Sequence, residues 1–83
     1  MSQIARTPKQ IGAIIQRQRQ SKKLTQLALA ERIGLRQEKI SKIEAGHPGT
    51  RIETICALLS ALDLEITVAP RSKGSPKDIE DIF

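Results

Sequence analysis

The chain is 83 residues long and carries 14 Lys+Arg against 9 Asp+Glu, a formal net charge of +5. That length suits one domain with a modest core, and a single cysteine with a single histidine excludes an internal disulfide and a cluster of soft zinc ligands. MSQIARTPKQ lacks a continuous apolar stretch and nowhere do about 18 apolar residues run together, so a cytoplasmic protein is expected, and its basic surplus suits an anionic polymer or surface.

Thr7-Pro8 opens the first helix: the Thr hydroxyl can accept an orphan N–H, and Pro at the first helical position gives up a donor that has no partner. Ile11, Ile14 and Ile15 then fall at helical spacing between Lys9 and Ser21, and the basic run ends in Lys22-Lys23. A second helix starts at Thr25, with Leu27, Ala28, Ala30 and Ile33 as its apolar stripe and Gly34 as a left-handed stop. Leu35-Arg36-Gln37 opens a third. Its Ile40 and Ile43 share one face, Gln37, Glu38, Ser41 and Lys42 lie on others, and Ala45-Gly46 marks its end. After the turn formers Gly46-His47-Pro48-Gly49, Thr50 is placed to cap a fourth helix with the largest stripe, Ile52, Ile55, Leu58, Leu59 and Leu62, and Cys56 reads as part of that core.

Leu64-Glu65-Ile66-Thr67-Val68 alternates apolar and polar and closes on Ala69-Pro70, the pattern of a short strand. Its N–H and C=O groups need a ladder partner, and no other segment has a comparable pattern. Leu64, Ile66 and Val68 are therefore expected to pair with a second copy across a two-fold axis, giving a homodimer; an edge strand or extended tail is the alternative. Beyond Arg71 the sequence is rich in Ser, Gly, Pro and charge, which describes a flexible tail. Within it Ser75-Pro76 can cap a short helix gathering Ile79, Ile82 and the single aromatic, Phe83; a frayed end is the alternative.

LTQLALAERIGLRQEKISKIEAG sets two short helices at a fixed separation, with small Ala30 and Gly34 where they turn and pack. The second helix of such a motif enters the major groove with its N-terminal residues on base edges, while the first crosses the backbone. Arg36 suits guanine O6/N7, Gln37 suits adenine N6/N7 and Ser41 is permissive. Lys39 and Lys42 can reach bases or phosphates. From Arg17 to Lys42, eight basic residues stand against two acidic ones, a surplus of +6 in the segment expected to face DNA. A charged helix pair that is only a solvated surface is the alternative at this point.

Thr25-Gln26, Leu29-Ala30, Ile33-Gly34, Gln37, Ile40-Ser41, Ile43-Glu44 and Gly46 together resemble the signature of the Cro/phage-repressor (XRE) helix-turn-helix family. The resemblance implies that Gln26 bonds a backbone phosphate and braces Gln37, and that Arg19 forms a structural ion pair with Glu44. It leaves Arg36, Gln37, Lys39 and Ser41 as base readers and Gln26, Lys23 and Lys42 on the backbone. TPKQIGAIIQRQRQ before the motif and TRIETICALLSALDLEITVAP after it are similar to the HipB-like antitoxins. That similarity implies a dimer with C-terminal strands paired between subunits, palindromic operator DNA and a HipA-like kinase toxin as partners. It also implies docking of a C-terminal aromatic into the toxin, so Phe83 with Ile79 and Ile82 becomes the candidate anchor.

The expected fold is all-α: a four- to five-helix Cro/repressor-like domain over residues 1–69, with one C-terminal strand pairing across a dimer, followed by a tail over 70–83. The expected function is a sequence-specific repressor that autoregulates a toxin–antitoxin operon and binds the toxin. A phage-type or restriction-controller repressor without a toxin partner, and a protein-sequestering module, are the alternatives. An enzyme is not expected, since His47 sits in a turn with no nucleophile near it in sequence, and neither a cofactor nor a metal is called for.

Overall fold

The computed structural model describes residues 3–71, and among them the chain forms four helices: α1 Pro8–Ser21, α2 Gln26–Ile33, α3 Gln37–Glu44 and α4 Ile52–Ala61. The expected anchor residues Ile79, Ile82 and Phe83 lie outside the described residues, as does the tail from residue 72 onward.

The first two helices begin where side-chain chemistry places them. Thr7 Oγ1 accepts the Gln10 N–H at 3.1 Å, with Pro8 in the first turn, and Thr25 Oγ1 accepts the Ala28 N–H at 3.0 Å. Gly34 ends α2 at φ +72, a left-handed conformation that costs glycine nothing for want of a Cβ, and the Leu35 N–H closes on the Ala30 carbonyl at 2.9 Å. The later two helices start without a side-chain cap, behind Arg36 and Arg51. Thr50 is therefore not the cap of α4. It stands one residue too early to reach the free N–H groups, and its hydroxyl donates instead to the His47 carbonyl at 3.3 Å, closing the loop between α3 and α4.

The core gathers Ile15 from α1, Leu29 from α2, Ile40 from α3, and Leu58 with Leu62 from α4 and its end, all fully buried. In α4 the inward stripe runs Ile55, Leu58, Leu59, Leu62, the i, i+3, i+4, i+7 pattern of one helix face. Ile52 and Cys56, four residues apart, share the flank of that stripe and are exposed, which corrects the expectation that both belong to the core. Leu27, expected in the α2 stripe, is likewise exposed: α2 buries Ala30 of that stripe together with Leu29, which the stripe left out.

Close approach of α1 and α3 depends on Gly12. A Cβ there would lie 2.3 Å from the Ile43 carbonyl oxygen and 2.6 Å from that of Glu44, so the missing side chain lets α1 rest directly on the last turn of α3. After α4 the chain turns through Asp63, and the Leu64 N–H bonds the Leu59 carbonyl at 2.7 Å. Residues 64–68 then run without secondary structure in the single chain: Leu64 packs against the core, while Ile66 and Val68 are 51% and 95% exposed. A strand exists only as part of a ladder, and among the described residues nothing pairs with this segment.

Candidate nucleic-acid interface

The first and third helices are fastened together by a buried ion pair. Arg19 donates through Nε to Glu44 Oε2 at 2.6 Å and through Nη2 to Glu44 Oε1 at 3.0 Å, with side chains only 10% and 3% exposed. The remaining fork, Nη1, donates to the Leu24 carbonyl at 2.7 Å. Bidentate geometry of this kind is strong and orienting, and it ties α1, the α1–α2 loop and the end of α3 to one point. Arg19 is thereby removed from the set of cations that can meet DNA.

Glu44 also accepts from Gln26 Nε2 at 3.1 Å. Gln26 stands in the first turn of α2, half-buried, so its side chain reaches across to the end of α3 rather than to the start. The brace implied between Gln26 and Gln37 is absent from the free chain, where Gln37 is exposed. Residue spacing gave no signal for the Gln26–Glu44 bond, which depends on how α2 and α3 cross.

Arg36, Gln37, Lys39, Ser41 and Lys42 are all exposed along α3 and its N-cap, against a buried face of Ile40, Ile43 and Glu44. At about 100° per residue, Glu38 and Lys42 point most directly away from that face. Gln37 and Ser41 lie on one shoulder and Lys39 on the other. The small Ala45 follows on the same outward line as Glu38 and Lys42, leaving room for a close approach at the end of the helix.

Lys23, in the α1–α2 loop, is exposed and holds φ +58, a left-handed conformation that a side chain with a Cβ adopts at a cost. Its neighbour Lys22 is engaged elsewhere, its ammonium 2.7 Å from Asp63 Oδ2. The hydrogen bond from Lys22, then its charge, hold the Asp63 carboxyl below the usual range, with a smaller contribution from Arg32. Arg17 Nη2 donates to Gln3 Oε1 at 2.8 Å, fixing the segment ahead of α1. Lys23, Arg32, Arg36, Lys39 and Lys42 are exposed on the two motif helices, the N-cap between them and the loop before them, while the exposed Lys9, Arg51 and Arg71 lie elsewhere.

A second surface combines apolar residues with the polar Gln3, Asp63, Glu65 and Thr67 at its edges. Ile11, Ile14, Ile55, Leu59, Leu64 and Ile66 line an open groove between α1, α4 and the extended segment. Among the described residues no group of His, Cys, Asp and Glu could hold a metal ion, and no helix is long and apolar enough to cross a membrane.

Residues 15–68 match the family described as Helix-turn-helix. Over 74 residues the chain is 31% identical to the Antitoxin HipB of Escherichia coli strain K12, an overlap covering 89% of this chain and 84% of that protein. The Antitoxin HipB of Escherichia coli O6:H1 strain CFT073 is 31% identical over 74 residues, 89% of this chain and 79% of its own. Among solved structures, the HipB-O4 20mer complex superposes with a TM-score of 0.79 at 30% identity, covering 86% of this chain and 100% of that one. The HipA-HipB-O2-O3 complex does so with a TM-score of 0.78 at 30% identity and the same coverage.

Proposed function

The chain belongs to the HipB antitoxins of the helix-turn-helix family, and from that membership we propose that it is a dimeric, operator-binding repressor and the antitoxin of a HipA-type kinase toxin. It is a binding protein and not an enzyme. The observation that carries the DNA-reading half is the exposed polar face of α3, held at a fixed angle by the buried Arg19–Glu44 pair beneath it. A helix so held can enter the major groove as a rigid reader, and its register is set by contacts to phosphates on either side.

In this reading Arg36, Gln37, Lys39 and Ser41 meet base edges, and Gln26, Lys23 and Lys42 meet the backbone. Residues 1–69 form the DNA-binding and dimerisation unit, working in the cytoplasm where operator DNA is accessible. Leu64, Ile66 and Val68 pair with their equivalents in a second copy, covering the open groove, and place two recognition helices on palindromic half-sites. The tail over 70–83, with Ile79, Ile82 and Phe83, is the candidate contact to the toxin.

The test is a mobility-shift titration with the duplex of its own promoter against a scrambled duplex. Gln37→Ala is expected to cost about 1–3 kcal/mol and to relax preference at one base pair, while Lys23→Ala weakens both duplexes alike and lowers the salt slope by about one. A wild-type chain with no preference for its promoter, or with affinity insensitive to salt, would sink the repressor reading.

A further inference from the structure

We infer that Glu44 is a positioning residue for the phosphate contact of Gln26, selecting which end of the Gln26 amide faces the DNA. The inference rests on the DNA-binding reading above and adds a task to a carboxylate whose evident role is to close an ion pair.

The argument is one of donors and acceptors. An ionised carboxylate only accepts hydrogen bonds, and a glutamine amide offers two protons on nitrogen and none on oxygen. Glu44 Oε1 therefore takes the amide nitrogen of Gln26, at 3.1 Å, and refuses its oxygen. One amide proton is spent on that bond and the second stays available on the same nitrogen. A phosphate, like a carboxylate, is acceptor-only, so an amide turned the other way would set its oxygen against both anions. Without Glu44 no acceptor on the protein side selects between the two orientations of the Gln26 amide, of which one serves the backbone.

Glu44 is itself immobile. Both its oxygens are engaged by Arg19, at 2.6 and 3.0 Å, and its side chain is 3% exposed. Arg19 in turn holds the Leu24 carbonyl at 2.7 Å, one residue beyond Lys23 and two before Gln26. The Gln26 amide is thus fixed by a network already closed before any DNA arrives. Preorganisation of this kind strengthens binding by removing an ordering cost.

The experiment is a double-mutant cycle on DNA affinity, using the full chain and both duplexes, at a temperature well below each variant's Tm. Gln26→Ala, Glu44→Gln and the double variant are compared. A lost hydrogen bond of ordinary strength corresponds to about a 2- to 12-fold loss, and we expect each single variant to show it on both duplexes, with the double variant no weaker than Gln26→Ala alone. Losses that multiply, or a Glu44→Gln chain with wild-type affinity, overturn the inference while leaving DNA binding intact. A wild-type chain that binds neither duplex overturns the DNA reading and the inference together. Should Glu44→Gln fail to fold, the Gln26 side-chain amide in the wild-type protein decides: one of its two proton resonances shifted and slow to exchange with water supports the contact, and two freely exchanging protons refute it.

Discussion

Glu44 is the residue on which most depends, and its burial explains why. A buried pair stripped of one partner leaves an uncompensated charge, which costs about 3–5 kcal/mol, so Arg19 and Glu44 stand or fall together. Lys23 presents the opposite case, a residue whose backbone the fold strains: at φ +58 it occupies a region that disfavours a Cβ. Lys23→Gly is expected to raise unfolding stability by about 0.5–1 kcal/mol in urea titrations, while removing a cation from the interface; a destabilised variant would show that the Lys23 side chain holds the loop. Asp63 gives a pH test. Its folded carboxyl is held below the usual range by the Lys22 hydrogen bond, so its contribution is present above the unfolded value and is lost as pH falls through the folded one. Asp63→Asn should therefore make acid-side stability fall less steeply in urea midpoints recorded across that range, with Lys22→Ala giving the same flattening. The ion pair Arg19–Glu44 is legible in the sequence only through family resemblance, whereas the left-handed Lys23 leaves no trace there, since lysine carries no preference for that conformation.

Helix boundaries were readable wherever a side chain makes them. Thr7-Pro8, Thr25 and Gly34 each supply a specific bond or dihedral, so α1 begins, and α2 begins and ends, where they place it. The start of α4 is made by backbone alone, with Arg51 extended and uncapped, so the neighbouring Thr50 misleads. The same helix shows why periodicity underdetermines a face: Ile52 and Cys56 fit a helical stripe as well as Ile55 and Leu59 do, and only the positions of α1 and α2 decide which is covered. Gly12 is a third kind of omission. In sequence it is a weak helix former, and its purpose appears only when the carbonyls of Ile43 and Glu44 arrive beside it. Gly12→Ala is expected to lower unfolding stability by about 1–3 kcal/mol by forcing α1 away from α3. Ordinary helix propensity predicts the reverse, a gain of about 1 kcal/mol, so the sign of the change in chemical denaturation separates the two accounts.

Across the whole molecule, the extended segment after α4 is the part the single chain does not complete. Its alternation is plain in the sequence, yet among the described residues nothing pairs with it, and one chain shows Ile66 and Val68 standing in solvent beside the open groove. If pairing of two copies covers them, the thermal midpoint rises with protein concentration. Val68→Asp should abolish that rise while the circular dichroism of the four helices stays unchanged, and a midpoint independent of concentration in the wild-type chain would refute pairing. One consequence reaches the level of gene output. Where the species that silences an operon forms by encounter of two copies, its abundance in the dilute regime grows as the square of chain concentration. A small rise in synthesis then meets a disproportionate rise in silencing, and a small fall is met by a disproportionate release. If residues 64–68 make that pairing, they give the circuit a steeper self-correction than any single-chain reader could supply.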